Sequence, residues 1–300
     1  FESPQSTFFN PDKEGWMNKE ATRLNEDKSG ARPWKKWGPY LSERQWGTVR
    51  EDMSLSGDAW NHFSHDQARS RAYQWGEDGL AGLSDDQQIL CFSIALWNGK
   101  DPILKERLFG LTNSEGNHGE DVKEYYFYLD NTPTHSYMRY LYKYPQSTYP
   151  YERLITNNRL AGRQGFEYEL IDTGVFENDR YFDVFVEYAK HSPEAILVNL
   201  TIHNRGPDKA HLDVLPHLWF RQQTRWQEIS GRPQLKEISR SEDGILIQAV
   251  DPILGDYVLW GEGARESLFV ENETNEQRLW GRPNRYPFVK DGINDYIVCN

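Results

Sequence analysis

The most regular pattern along the chain is a series of short apolar or alternating segments that begins near residue 89. Residues 89–97 form a continuous apolar run, which is typical of a strand covered on both faces. The later segments are rich in aromatic and β-branched residues and partly alternate between apolar and polar positions, as half-buried strands do. They are residues 123–130, 136–144, 166–172, 181–189, 195–204, 211–220, 244–250, 257–261 and 267–272. Their spacing predicts an all-β fold, a large antiparallel β-sandwich.

Helical patterns are few. Residues 16–27 predict a short helix, and residues 101–111 open with an Asp-Pro pair suited to a helix N-terminus and have a one-sided apolar face. Residues 221–243 are polar and poor in apolar side chains, which predicts a long loop or an insertion. Residues 293–300 have the pattern of a strand that enters a sheet.

These patterns divide the chain into two parts. Residues 1–32 form a polar arm that is irregular or holds the short helix, and residues 33–300 form the sandwich domain. Its first part, through residue 88, is rich in Trp, Gly and charge but poor in aliphatic residues, so we expect long charged aromatic loops there. A strand that stopped at residue 300 would leave an unpaired sheet edge. We therefore expect the sandwich to be incomplete at its C-terminal end and the chain to be a fragment or a processed piece of a longer protein.

The charge balance limits the classes of partner. The chain has 300 residues, and its 34 Lys+Arg against 46 Asp+Glu give a formal net charge of −12. A nucleic-acid backbone or an anionic membrane would repel such a chain, so we expect neither as a partner. Its only two cysteines, Cys91 and Cys299, cannot supply a disulfide framework, which favours a reducing, cytoplasmic location.

Aromatic residues are the strongest compositional signal, because 11 Trp, 17 Tyr and 14 Phe make up 14% of the chain. They fit either a wide β core with half-buried aromatic pairs or a surface on which sugar rings stack beside polar side chains. Two segments, residues 37–52 and 65–86, mix aromatic and charged residues without a core period. The candidate binding or domain-interface residues in them are Trp37, Tyr40, Glu43, Arg44, Trp46, Arg50, Trp75, Glu77 and Asp78.

Each of these segments also has a purely structural explanation. Arg44 and Arg50 can pair with neighbouring acids and fix a long loop on a sheet, and Gly76 and Gly79 can form a tight turn around Glu77 and Asp78. A third polar segment, residues 113–124, offers carboxylate and amide oxygens but lacks the spacing of a calcium loop. Its potential ligands are Glu115, Asn117, Glu120 and Asp121. We expect no metal and no cofactor.

The acidic residues do not identify a catalytic pair by themselves. Hydrolysis of a glycosidic bond needs two carboxyl groups about 6.5–9.5 Å apart for inversion or about 5–5.5 Å apart for retention. No spacing in this sequence forces either distance, and no compelling Ser/His/Asp or Cys/His arrangement is present. The sequence alone therefore predicts no catalytic residue.

Long motifs in the chain resemble the amino-terminal part of the large microbial glucosidase-like proteins of glycoside hydrolase family 63. These proteins are related to processing mannosyl-oligosaccharide glucosidase. The likeness covers nearly everything after residue 33, but residues 222–239 depart from the Trp-rich sequence expected there. The motifs are KWGPYLSERQWGTVREDMS at 36–54, HDQARSRAYQWGEDGLAGLSDDQQ at 65–88, and the segments at 98–146, 179–190, 214–221 and 268–298.

The resemblance implies an amino-terminal β-sandwich packed against an (α/α)6 barrel. In that architecture the general acid and general base are carboxylates on the barrel, and hydrolysis proceeds with inversion. The barrel lies beyond Asn300, so the resemblance assigns no catalytic residue to this chain. It implies two partners, a glucosyl-oligosaccharide substrate and the C-terminal (α/α)6 catalytic domain of the same parent chain, with the charged aromatic loops at the domain interface or the rim of the barrel.

Two other functions remain open at this point. The same aromatic content suits a non-catalytic carbohydrate-binding or structural module. Glycoside phosphorylases also combine a sandwich with an α/α barrel, so the chain can equally be part of such an enzyme. Saturable sugar binding by this chain would favour the first alternative, and dependence of the parent on phosphate would favour the second.

Overall fold

The structure, a computed structural model, describes residues 18–41, 54, 63–73, 79–116, 121–221 and 231–299. In these ranges the chain forms thirteen strands that pair in antiparallel fashion. The strands are β1 (Trp37–Tyr40), β2 (Leu80–Asp85), β3 (Leu90–Trp97), β4 (Gly110–Leu111), β5 (Asp121–Val122), β6 (Tyr125–Asn131), β7 (Tyr137–Pro145), β8 (Tyr181–Ser192), β9 (Ala195–Asn204), β10 (Asp213–Phe220), β11 (Gln234–Ser241), β12 (Gly244–Asp251) and β13 (Gly255–Glu262).

Two four-stranded sheets form the sandwich. The first sheet has the strand order β1-β2-β3-β10, and the second has the order β6-β7-β8-β9. Strands β11, β12 and β13 form a third sheet, and β4 pairs with β5. The prediction of an all-β, antiparallel, sandwich-like fold is confirmed.

The core lies between the two large sheets. Alternate residues of β7 and β8 are buried, so that tyrosines such as Tyr140 and Tyr188 lie in one apolar cluster with Phe92 and Ile94 of β3. The third sheet adds Ala249 to this cluster. The first sheet and the inner face of the second sheet thus exclude water from each other, and this burial is the main source of stability.

The described part of the chain also contains short helices. The α-helices are α1 (Lys19–Lys28), α2 (His65–Ala68), α3 (Tyr151–Ala161), α4 (Glu276–Trp280) and α5 (Gly292–Cys299). Single 3₁₀ turns lie at Trp34–Lys36, Asn113–Glu115, Gly162–Gln164, Leu170–Thr173 and Glu177–Asp179. None of the helices in the described ranges is long and apolar enough to cross a membrane.

Helix α1 confirms the short helix predicted in the polar arm. Its N-terminus is capped by Asn18, whose side chain accepts a hydrogen bond from the Glu20 N–H. The Glu20 carboxylate accepts hydrogen bonds from the N–H and hydroxyl of Thr134 and from the hydroxyl of Ser136. The helix is therefore attached to the turn between β6 and β7 by polar contacts.

Most of the predicted strands are present, and four predicted elements are wrong. The strands predicted at 89–97, 123–130, 136–144, 181–189, 195–204, 211–220, 244–250 and 257–261 are confirmed within a few residues. The wrong elements are the strands at 166–172, 267–272 and 293–300 and the helix at 101–111.

The segment at 166–172 forms no strand because side chains satisfy its backbone. The Asn158 amide donates to the Tyr168 carbonyl at 2.9 Å and accepts from the Tyr168 N–H at 3.0 Å. The Asp172 carboxylate accepts from the Glu169 N–H and helps to close the 3₁₀ turn Leu170–Thr173. These bonds replace the ladder that a neighbouring strand would have provided.

Residues 101–111 form no helix because they are buried almost throughout. The Asp101 carboxylate accepts hydrogen bonds from the Ile103 N–H and the Tyr144 hydroxyl instead of capping a helix. Lys105 pairs with Leu96 in an isolated β-bridge. A one-sided helix would have left its polar face in water, whereas here both charged neighbours, Lys105 and Glu106, have buried partners of opposite charge.

The last described residues form helix α5 and not a strand. Ile293, Tyr296 and Ile297 recur at the i, i+3 and i+4 positions of a helix, a spacing that an eight-residue apolar segment shares with a strand. The Asn294 side chain accepts a hydrogen bond from the Leu104 N–H at 2.9 Å and fixes the helix on the domain. The expectation of an unfinished sheet therefore loses the strand on which it depended.

Two predicted loop regions and one predicted strand also need correction. Within residues 221–243, Gln234–Ser241 forms strand β11 and pairs with β12. Strand β2, Leu80–Asp85, is buried along its whole length although we expected loops there. Residues 267–272 belong to no β-ladder. Instead, the Asn272 side chain accepts a hydrogen bond from the Tyr73 N–H and donates one to the Tyr73 carbonyl.

Candidate functional site

Two of the nine candidate residues lie in described parts of the chain. Trp37 and Tyr40 are the first and last residues of β1. The other seven lie outside the described residues: Glu43, Arg44, Trp46, Arg50, Trp75, Glu77 and Asp78. Their assignment to a binding site or a domain interface stays a prediction.

Trp37 and Tyr40 both join the aromatic packing of the domain. Trp37 is 6% exposed, and its ring meets the Tyr257 ring edge-on with centroids 5.3 Å apart. The Tyr40 ring lies 4.7 Å from that of Tyr128, and its hydroxyl donates to the Asp130 carbonyl at 3.4 Å. In this arrangement the Trp37 ring is not available for stacking on a ligand.

Two distant segments, residues 63–73 and 268–299, lie together on the outer face of the first sheet, and we call them the covering segments. Asn272 joins them because its side chain accepts from the Tyr73 N–H at 2.6 Å and donates to the Tyr73 carbonyl at 2.8 Å. The same amide donates to the Phe220 carbonyl at 2.9 Å, at the end of β10. Tyr73 packs with Trp219, with ring centroids 4.6 Å apart.

A second set of polar contacts holds the covering segments to each other. The buried Asp291 carboxylate accepts hydrogen bonds from the Ser70 hydroxyl and the Asn275 amide. Arg278 donates to the Ser70 hydroxyl at 2.8 Å and to the Asp66 carboxylate at 2.6 Å. The contacts of Ser70 with Asp291 and of Arg278 with Ser70 and Asp66 join residues that are more than two hundred positions apart in the sequence.

A buried ion pair ties the covering segments to the connection between β3 and β4. The Lys290 ammonium donates to one Glu106 oxygen at 2.8 Å, and the Tyr73 hydroxyl donates to the other at 2.7 Å. Burial alone would raise the pKa of Glu106, but the charge of Lys290 and the two hydrogen bonds hold this pKa below its usual value. The carboxylate is therefore ionised, and each of its oxygens accepts a hydrogen bond.

Three polar side chains beneath the covering segments have buried atoms without a hydrogen-bond partner in the described part of the chain. These atoms are Ser93 Oγ, His217 Nδ1 and Trp219 Nε1. Ser93 lies opposite His217 in the β3–β10 ladder, and Trp219 follows on the same face of β10. Burial lowers the pKa of His217 to about 4, although the negative charge of Glu106 acts to raise it. The imidazole is therefore neutral at physiological pH.

Within the described residues, Ser93 is packed closely against the backbone of Gly79. The backbone of Gly79 packs so closely that a β-carbon on this residue would lie 2.1 Å from the Ser93 β-carbon. Gly79 has a φ of +103°, a conformation that residues with a side chain rarely adopt. This close packing holds the start of β2 against β3, so the cluster has a structural role.

A second buried network lies between the β3–β4 connection and the second sheet. The Lys105 ammonium donates to Glu124 at 2.6 Å, and both side chains are fully inaccessible to solvent. The Phe109 N–H and the Tyr142 hydroxyl also donate to this carboxylate. The ammonium lies 3.8 Å from the centre of the Tyr149 ring, a favourable cation–π geometry. Burial raises the pKa of Glu124, although Lys105 opposes that effect.

His65 borders this network and faces a very small cavity. Its ring stacks on Tyr151 with centroids 5.3 Å apart and meets Phe109 edge-on at 5.1 Å. Burial, followed by the charge of Lys105, lowers the pKa of His65 well below its usual value. The cavity beside it, lined in part by Phe63, has a volume of about 10 Å³, which is no larger than one water molecule needs.

Three carboxylates on the surface have the spacing of a cation site, but a lysine ammonium sits among them. Asp121, Glu167 and Glu169 offer oxygen atoms within 4.8 Å of one another. Lys123 Nζ donates to all three, at 2.8, 2.8 and 2.7 Å. These three acids raise the pKa of Lys123 against the effect of burial. The positive charge that the acids need is supplied by the chain itself.

The sequence-predicted oxygen ligands do not converge on one point in the described residues. Asp121 belongs to the group around Lys123, whereas the Glu115 carboxylate accepts from the Thr112 N–H at 2.9 Å and caps its own 3₁₀ turn. Asn117 and Glu120 lie outside the described residues.

All seven buried carboxylates of the described ranges accept hydrogen bonds from protein donors. Lysine, arginine or tyrosine side chains serve Asp101, Glu106, Glu124 and Asp183, and backbone N–H groups serve Asp85 and Asp251. Asp291 is served by Ser70 and Asn275. None of these seven carboxylates lines the small cavity beside His65 or the open depression around Tyr257.

Sequence reasoning missed the residues that hold the covering segments in place. Lys105, Glu106 and Arg107 stand side by side between apolar residues, and adjacent charges in such a stretch are a signal of buried partners. His217 lies in an alternating strand at a position that faces away from the core. Lys290 carries no local signal, because its partner is 184 positions away.

A comparison with curated proteins found a relative of this chain. The chain is 42% identical over 313 aligned positions to a Saccharomyces cerevisiae protein described as uncharacterized protein YMR196W. The match includes 93% of this chain and 29% of the yeast protein, so the chain spans less than a third of the length of that relative. No protein-family model and no solved structure matches the chain.

Proposed function

We propose that the chain is the amino-terminal β-sandwich of a larger α-glucosidase-like glycoside hydrolase. In this proposal the full-length protein cleaves glucosyl-oligosaccharides by inverting hydrolysis, and the catalytic acid and base lie on an (α/α)6 barrel outside these 300 residues. The sandwich contributes a rigid support and a docking surface for the barrel, and its charged aromatic loops reach the rim of the active site.

The observation that carries the proposal is the meeting of the covering segments. These two stretches include two of the motifs that resemble the family-63 proteins, and the Tyr73–Asn272 contact joins them across 199 positions. Because the two motifs fold into one layer, a single role for both, such as docking a neighbouring domain, is consistent with the proposal. The Lys290–Glu106 pair anchors this layer to the sandwich, which supports a role in holding a neighbouring domain.

The outer side of this layer has the character of a contact surface. Large aromatic side chains are exposed along the second covering segment, and arginines lie beside two of its aromatic rings, which are those of Trp280 and Tyr286. Exposed aromatic side chains together with arginine are typical of interaction surfaces. The exposed aromatic residues are Phe269, Trp280, Phe288 and Tyr296.

Two further observations fit a domain that supports a separate catalytic domain. The engagement of every buried carboxylate in the described ranges is the behaviour expected of a domain that is not itself the reaction centre. The yeast relative has room for a separate catalytic domain, because 29% of its length is matched by this chain. We also propose a reducing, cytoplasmic location, supported by two thiols, Cys91 and Cys299, that form no disulfide.

The experiment compares glucose release by the full-length yeast relative and by the isolated 300-residue chain, using a panel of α-linked gluco-disaccharides. We expect turnover by the full-length protein without added phosphate and none by the isolated chain. Hydrolysis by the isolated chain that a single carboxylate-to-amide substitution abolishes would contradict the proposal. Absolute dependence on phosphate would favour the phosphorylase alternative.

A further inference from the structure

The outer face of the second sheet carries a row of apolar side chains that crosses three strands. Phe127 on β6 lies opposite Leu141 on β7, which lies opposite Phe185 on β8, and Thr201 on β9 extends the row. Their neighbours along each strand face the core, so these side chains face outward. Phe127 is 42% exposed, and the other three are partly exposed, so the row is open to solvent.

A polar row flanks the apolar row on one side. Arg139 lies opposite Glu187, which lies opposite Asn199. The Glu187 carboxylate accepts hydrogen bonds from the Tyr137 hydroxyl and from the Asn199 amide at 3.1 Å. The Arg139 guanidinium lies 4.8 Å from the centre of the Phe185 ring. This row presents hydrogen-bond donors and acceptors directly beside an aromatic face.

A second polar row flanks the apolar row on the other side. Lys143 lies opposite Asp183 in the β7–β8 ladder and donates to its carboxylate at 2.6 Å. Arg205 donates to the second oxygen of Asp183 at 2.6 Å. His203, the next residue in the row, meets the Phe185 ring edge-on with centroids 5.8 Å apart. The apolar row is thus enclosed between two lines of polar side chains.

The spacing of these rows follows from the geometry of a sheet. Neighbouring rows are separated by two residues along a strand, about 7 Å, and the two phenylalanines by two strand spacings, about 10 Å. A pyranose ring has apolar C–H faces and a rim of hydroxyl groups, so an oligosaccharide that lies along the apolar row would meet polar rows on both sides. The distance between the phenylalanines is comparable with the length of a disaccharide unit.

We propose that this face binds a neutral oligosaccharide, with Phe127 as a stacking platform, with the Phe185 ring between Arg139 and His203 as a second apolar contact, and with Arg139, Glu187 and Asn199 as hydrogen-bonding groups. The site is separate from the covering segments, and it binds without cleaving. A protein partner is a poorer occupant, because charged pairs such as Lys143–Asp183 and Arg139–Glu187 are depleted in the cores of protein interfaces. Nucleic acid is disfavoured by the net charge of −12.

The test is calorimetric titration of the 300-residue chain with maltotetraose and with cellotetraose. We expect saturable binding of at least one of them. Phe127→Ala and Phe185→Ala should each raise the dissociation constant about tenfold, because each removes one aromatic ring from the binding face. Phe127→Tyr should bind as the unaltered chain does, since it keeps the ring.

The matched control is Phe166→Ala, because the Phe166 side chain is 99% exposed and lies outside the second sheet. Circular dichroism melting of every variant reports whether the fold is kept, and Phe127→Ala decides the question if Phe185→Ala unfolds. Failure of both sugars to saturate the chain would overturn the proposal, as would unchanged binding by Phe127→Ala or an equal loss with Phe166→Ala. The outcome is independent of glucose release by the full-length relative, so failure of either proposal can be told from failure of the other.

Discussion

The Lys290 ammonium and the Glu106 carboxylate lie 2.8 Å apart, and both side chains are more than nine-tenths buried. They come from positions 184 residues apart in the chain. The contact fastens the second covering segment to the connection between two strands at the surface of the sandwich. It is a buried, charged link between the part of the chain that builds the sheets and the part that lies over them.

Removal of one member of this pair should cost considerable stability. Lys290→Met leaves the Glu106 charge buried and removes the Lys290 donor, so that the Tyr73 hydroxyl remains. We expect the free energy of unfolding to fall by about 3–5 kcal/mol. Urea denaturation followed by tryptophan fluorescence measures the change.

The double variant Lys290→Met/Glu106→Gln is the control for this prediction. Because it removes both charges, it should recover part of the stability lost in Lys290→Met. If the loss in free energy of unfolding of the double variant equals or exceeds the sum of the losses in the two single variants, the pair is not coupled as the structure indicates.

His217 should make stability depend on pH in a defined window. Its folded-state pKa of about 4 is below the unfolded value of about 6.5, so the unfolded chain binds more protons between these limits. Stability contributed by the neutral imidazole is therefore present above about pH 6.5 and is lost as the pH falls toward 4. Urea denaturation at pH 7 and pH 5 should show a smaller fall in stability for His217→Gln than for the unaltered chain; an equal fall would contradict the assignment.

Lys123 should decide whether its three acidic neighbours hold a metal ion. Lys123→Met leaves Asp121, Glu167 and Glu169 without their shared cation, and we expect a loss of about 1–3 kcal/mol together with a gain in affinity for Ca²⁺. Millimolar CaCl₂ should raise the melting temperature of this variant and leave that of the unaltered chain unchanged. A calcium response in the unaltered chain would show that the ammonium does not occupy the site.

Lys190 should be needed to hold the first strand on the sandwich. Its ammonium donates to the carbonyls of Trp34, Trp37 and Thr134 at 2.6, 2.6 and 3.2 Å. Lys190→Met removes this donor from three carbonyls, so we expect the free energy of unfolding to fall by about 2–4 kcal/mol. The solvent-exposed Lys209→Met is the matched control and should stay within about 0.5 kcal/mol of the unaltered chain in urea denaturation. Equal losses in the two variants would show that the carbonyl contacts contribute nothing.

The sandwich could be predicted because its core strands have simple local patterns. Alternation of buried and exposed residues in β7 and β8 is visible in the sequence, and it places Tyr140 and Tyr188 in the core. Strand β2 was missed because it is buried on both faces and contains no alternation. The segment that became α5 was misassigned because a short apolar run has the spacing of both a strand and a helix.

The anchoring contacts could not be predicted, because they depend on residues far apart in the chain. Nothing near Lys290 indicates Glu106, and nothing near Asn272 indicates the backbone of Tyr73. Trp37 was chosen as a candidate for its residue type, whereas its burial is decided by the third sheet through Tyr257. Side-chain partners of this kind follow from the tertiary fold and not from local sequence.

The most direct test of the proposed hydrolase function is proton NMR of the sugar first released by the full-length yeast relative from an α-linked gluco-oligosaccharide. Inverting hydrolysis predicts that β-glucose appears first and then equilibrates with the α anomer, and that the isolated 300-residue chain releases neither. Initial release of α-glucose or glucose 1-phosphate, or the absence of any product from the full-length protein, would contradict the account.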